Sequence, residues 1–168
     1  MWSMSALQRK ISNLSFFDGV TVLLMAGISL VCAAIWRDLT EAFVGVALLT
    51  VGCIELSGRQ LFHNRLPEAT RWLVGSQLGL LFVIIAYCLR NIYYPPALPL
   101  DQLPPFILET LENLPGSNGN LEGMMQPLLK VVYSLFMLIS IFYQGGMAMF
   151  YLRKVPLALQ EPPPLPTR

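Results

Sequence analysis

Four long apolar runs, nearly free of charge, constrain this chain more than any other feature. They cover residues 16–36, 40–56, 72–89 and 128–152. Each is about as long as a helix must be to cross a hydrocarbon layer of ~30 Å at a rise of ~1.5 Å per residue. In lipid every backbone polar group must find its partner within the span, so such runs fold as helices. The expected fold class is therefore an all-α integral membrane protein, a four-transmembrane-helix antiparallel bundle flanked by short interfacial amphipathic helices. The spans are expected at about 16–36, 40–57, 72–90 and 128–152, within a membrane domain covering 16–154.

Composition agrees with that class. Charged residues make up 12% of the 168 positions, against about 25% in a typical soluble domain. The deficit lies in the four runs, and the length suits one small bundle. A net charge of +1 argues against a nucleic-acid partner, which would need a basic patch or stripe. One histidine and three scattered cysteines supply no bis-His haem, zinc or iron–sulfur spacing, so no metal or cofactor is expected. A disulfide between Cys32 and Cys88 would need the first and third helices to touch there, and is not expected. The basic pair Arg9–Lys10 before an apolar run resembles a signal peptide. The run exceeds the usual h-region of about 7–15 residues and lacks a convincing cleavage site, so it is expected to be retained.

Charge sets the expected orientation. Arg9 and Lys10 precede span 1, Arg59, Arg65 and Arg71 lie between spans 2 and 3, and Arg153, Lys154 and Arg168 follow span 4. The other side carries Arg37, Arg90 and Lys130 among Asp38, Glu41, Asp101, Glu109, Glu112 and Glu122. Both termini are thus expected in the cytoplasm and the acidic 91–127 loop outside. The bacterial inner membrane is the expected location, although the same pattern would suit a eukaryotic membrane.

Helix boundaries are well punctuated. Ser15-Phe16-Phe17-Asp18 matches a capping pattern and is expected to open span 1. Asp38-Leu39-Thr40-Glu41 offers a second cap after a very short turn. Helix 2 is expected over about 40–65, and helix 3 over about 67–91 with Pro67 in its first turn. Residues 1–15 place Met4, Leu7, Ile11 and Leu14 on one stripe, which predicts an amphipathic segment lying on the inner surface. Pro104-Pro105 precede a second amphipathic stretch in the outer loop, and 115–120 read as a turn. The proline-rich tail, 155–168, is expected to be extended and mobile, with a formal PxxP pattern most simply read as exposed chain.

Helix 2 carries the main candidate site. Gly45, Gly52, Glu55, Arg59 and His63 fall within a sector of roughly 80° at about 100° per residue. Glu55 and Arg59 are spaced i, i+4 in the favourable order for an ion pair. In one reading this face binds an anionic headgroup, a proton or a substrate. In the preferred reading it is structural, with Glu55 neutralising Arg59 near the interface and Asp18 of span 1 joining them. His63 reads as a solvated interfacial residue. Gln77 and Gln144 are expected at similar depths on helices 3 and 4, where their amides can meet as interhelical glue, with Ser140 one turn from Gln144. Gly75, Gly79, Gly145 and Gly146 are further close-packing candidates. Trp72, Tyr93, Tyr94 and Tyr151 read as interfacial belts.

Three functions are open on sequence grounds. The first is a scaffold or accessory subunit of a membrane complex, with a protein partner or a second copy in the bilayer. The second is a small oligomeric transporter or channel using Glu55, Arg59, Gln77 and Gln144. The third is a membrane enzyme, for which no nucleophile–base pair, metal set or catalytic carboxylate pair is evident.

Overall fold

Ser5 opens the first helix, α1, which spans Ala6–Trp36. Its hydroxyl accepts from the Gln8 N–H (3.2 Å) and the Gln8 side chain accepts from the Ser5 N–H (3.1 Å). Two of the donors that every helix start leaves over are satisfied in this way. The computed structural model describes residues 5–94 and 121–160. Met4, the proline-led stretch of the outer loop, the 115–120 turn and the PxxP pattern lie outside the described residues.

α1 passes without interruption through the start expected at Ser15–Asp18. The physical reason lies in the stripe of its first turns. Ile11 is fully buried and packs with Leu7 and Leu14 against Phe62, Leu73, Tyr151, Val155 and Ala158. These turns bury their apolar face against protein, so they extend span 1 instead of forming a separate surface helix. Arg37 then ends α1 in the left-handed conformation (φ 53°), its N–H bonded back to the Ala33 carbonyl.

Asp38 starts α2, Leu39–His63, by accepting from the Thr40 N–H at 2.7 Å. Replacing an N-cap aspartate by alanine costs about 0.5–2 kcal/mol. Asp38→Ala is expected to lose stability in that range in detergent-based unfolding, with helix content unchanged. A turn with Arg65 in the left-handed region (φ 57°) leads through Pro67 to α3, Ala69–Tyr93. α2 and α3 begin and end within two residues of the positions that caps and proline suggest. α4 covers Leu121–Gln160, 40 residues, and continues through Pro156. Residues 156–160 are therefore helical, in place of an extended tail. Burial of Val155 and Ala158 explains this, and Gln8 Nε2 donates to the Ala158 carbonyl at 2.9 Å, satisfying one acceptor near the helix end. All four helices are long and apolar enough to cross a membrane.

The chain divides into two compact units, Met1–Ile84 with Ser140–Arg168, and Ile85–Ile139. In the first, glycines let α1 and α2 approach closely. A Cβ at Gly45 would lie 2.7 Å from Leu30, one at Gly52 2.7 Å from Leu23, and one at Gly19 3.0 Å from Leu56. These contacts run in opposite sequence directions along the two helices, and Ser29 ties the turn end by donating to the Glu41 carbonyl at 3.0 Å. α2 meets α3 at Gly58, where a Cβ would stand 3.1 Å from the Leu73 backbone nitrogen. Beyond these contacts lies a smaller apolar cluster of Val22, Val51 and Leu80. In the second unit, Tyr87 and Tyr133 stack edge to face with centroids 6.2 Å apart. There Asn91 is buried and donates to the Tyr87 carbonyl at 2.8 Å.

Small residues therefore play unequal roles. Gly79 makes an ordinary contact with Val51 at 3.4 Å, whereas a Cβ at Gly75, Gly145 or Gly146 would meet nothing within 4 Å. Among the described residues, these last three do not serve close packing within the chain. Their spacing gave no information on which face of the helix carries them.

Candidate functional site

Glu55 is 1% exposed and lies at the centre of a polar cluster inside the first unit. Tyr151 of α4 donates to its Oε1 at 2.9 Å. On α3, Ser76 bonds its Oε2, and Gln77 Nε2 donates to the same oxygen at 3.2 Å. The Gln77 amide nitrogen also reaches Asp18 Oδ2 of α1 at 2.5 Å. A single side-chain network therefore joins all four helices. A polar network buried in apolar surroundings is stable when its members are mutually satisfied, and the low dielectric strengthens each bond.

Arg59 and His63 belong to a second group, one turn and two turns further along α2. Arg59 Nε donates to the Ser12 carbonyl (3.1 Å) and to Ser12 Oγ (3.2 Å). Its guanidinium lies 4.8 Å from the centroid of the Phe16 ring, a cation–π distance. His63 Nε2 is 2.9 Å from Ser12 Oγ. Ser12 thus gathers both basic side chains onto α1.

This arrangement corrects the expected Glu55–Arg59 ion pair. The i, i+4 spacing is present, but the Glu55 carboxylate points across to α3 and α4, while Arg59 points to α1. Neighbouring helices outcompete the local pair because they offer several donors to one carboxylate. Gln77 and Gln144 do not bond each other either. Gln77 turns its nitrogen to the two carboxylates, and the carbonyl oxygens of Gln77 and Gln144 are both buried without a hydrogen-bond partner. Gln144 and Ser140 are buried on α4, as is Tyr151, which is 0% exposed. Tyr151 is thus a core residue and no part of an interfacial belt.

Ser76, Ser12 and Gly58 were not among the residues singled out by sequence, and Tyr151 was singled out only as an interfacial aromatic. The signal for two of them was present. The turn at Asn64–Leu66 pairs α2 and α3 so that residues equally far from it face each other, which sets Glu55 against Ser76 and Gly58 against Leu73. Tyr151 had no such signal, because its register against α2 depends on how α4 packs. Cys32, Cys53 and Cys88 are free thiols. Among the described residues, no three His, Cys, Asp or Glu side chains gather as a metal site.

No protein-family model matches the chain, and no curated protein or solved structure shows detectable similarity to it.

Proposed function

We propose that this is a multi-pass integral membrane protein whose four helices form an antiparallel bundle, and that it serves as a scaffold or accessory subunit of a membrane complex. The observation that carries this reading is the inverted distribution of polarity. Glu55, Ser76, Gln77, Ser140 and Gln144 are buried, while Trp36, Leu39, Phe43, Phe82 and Phe142 are each more than 70% exposed. Monomeric soluble proteins rarely show large contiguous apolar surfaces, whereas lipid or a partner's helices would cover them. The faces at Gly75, Gly145 and Gly146, which meet nothing of their own chain, offer room for a neighbouring helix, from another protein or a second copy. The distribution of basic residues supports cytoplasmic termini and an outer connection between α3 and α4, and the bacterial inner membrane is the proposed location. Co-purification in mild detergent is expected to yield a stoichiometric membrane partner. A monodisperse particle without one, together with a normal deletion phenotype, would count against the reading.

A small oligomeric transporter or channel is the second reading, supported by the full burial of an acidic side chain, since ionisable groups within membrane helices often mark ion pathways. Flux into liposomes is expected to fall in Glu55→Gln and Arg59→Ala variants. Unchanged flux in both would remove these residues from any pathway.

A further inference from the structure

The cluster around Glu55 is short of positive charge. Two carboxylates, Glu55 and Asp18, share the Gln77 amide, and the described side chains that contact them are uncharged. Arg59, the nearest basic residue on α2, has its guanidinium against Ser12 and Phe16. His63 also turns to Ser12. From α4 the facing ionisable groups are the phenols Tyr151 and Tyr143, and α3 contributes only Ser76 and Gln77. A fully buried carboxylate beside a second, partly buried one is costly without a compensating cation.

The hydrogen-bond inventory shows the same deficit independently of charge. The Ser76 hydroxyl contacts both Glu55 Oε2 and the Leu73 carbonyl, yet a hydroxyl has one proton to donate. The Gln77 carbonyl oxygen is on the planar amide whose nitrogen lies between the carboxylates. It is buried with no donor, in a side chain only 1% exposed. Exchanging the amide's nitrogen and oxygen would only move the unpaired acceptor against the carboxylates. Acceptors therefore exceed donors on two sides of Glu55, and native interiors leave few polar groups in that condition.

We propose that the Glu55–Asp18–Gln77 cluster is a binding site for one monovalent cation, a proton or a small alkali-metal ion. A proton on Glu55 Oε2 would be donated to Ser76 Oγ, which frees the Ser76 proton for the Leu73 carbonyl. An alkali ion would instead take oxygen ligands from the carboxylates, with the Gln77 amide turned so that its carbonyl oxygen, in place of its nitrogen, faces the ion. Either supplies the missing positive charge, and Asp18, only partly buried, lies on the side from which it would enter. The proposal holds for a scaffold and for a transporter alike.

The test uses the full-length protein in lipid nanodiscs. Infrared spectra at neutral pH in sodium-free choline chloride report a carboxylic-acid carbonyl band if the ligand is a proton. Binding of radiolabelled sodium, with a rise in unfolding temperature over choline at equal ionic strength, reports an alkali ion. One of these signals is expected in the wild type and is expected to disappear in Glu55→Gln. Should that variant fail to fold, Asp18→Asn, at the more exposed carboxylate, is expected to weaken the same signal. A wild type with neither signal overturns the proposal, as does a signal that persists unchanged in the folded variants.

Discussion

Glu55→Ala is expected to destabilise the protein by about 2–4 kcal/mol, combining the loss of buried hydrogen bonds with the cavity left by the shortened side chain. The three donors around Glu55 do not lose equally. Ser76 can turn wholly to the Leu73 carbonyl (2.8 Å), and Gln77 keeps Asp18 (2.5 Å). Tyr151 is 0% exposed and makes its 2.9 Å bond to Glu55 Oε1, so its hydroxyl loses its acceptor and must turn to the buried Ser15 Oγ beside it. Glu55→Gln preserves the side-chain volume and one acceptor oxygen, and its expected cost is about 1 kcal/mol, in line with single hydrogen bonds inside membrane proteins. Reversible unfolding in mixed detergent micelles measures both. An alanine variant within 0.5 kcal/mol of wild type, the range of ordinary surface changes, would show that the cluster does not hold the helices together.

The second large effect is expected at Gly58. A Cβ there would be 3.0 Å from Leu73 Cδ2 and 3.1 Å from the Leu73 backbone nitrogen. A side-chain tip can rotate away, but a helix backbone cannot move without shifting the helix. Leu73 is itself fully buried in the main apolar cluster. Gly58→Val is therefore expected to cost about 1–3 kcal/mol by overpacking. Gly58→Ala should cost less, because alanine gains about 1 kcal/mol in helix propensity over glycine. Gly75→Ala, whose Cβ would meet nothing within 4 Å, is the control and should be neutral or stabilising. Equal melting temperatures for Gly58→Val and wild type would contradict the close α2–α3 approach.

The sequence carried the helices well and their contacts unevenly. Run length and the Asp38 cap located α2 and α3 because both signals are local. The expected start of α1 and the expected end of α4 lie too far inward for one shared reason. Ile11 on one side and Val155 and Ala158 on the other bury each other, and such mutual burial is invisible to a scan that reads each segment by itself. Glu55 was legible as a residue in need of a partner, and Asp18 as a residue able to join it. The partner itself was misread, because i, i+4 spacing reports only what lies along one helix. Tyr151 shows the same limit: an aromatic near a span end has the composition of an interfacial anchor, and only packing distinguishes that from a core donor.

The 96-residue separation between Glu55 and Tyr151 has a consequence for how the molecule is made. Chains leave the ribosome from the N-terminus, so the acid, its serine and its glutamine are synthesised well before the phenol. Three helices can assemble with the Glu55 Oε1 side still open. The last helix then docks at the one rotation and depth that bring Tyr151 to that oxygen. Early in biogenesis the carboxylate acts as an address, and only at the end does it become a fastening.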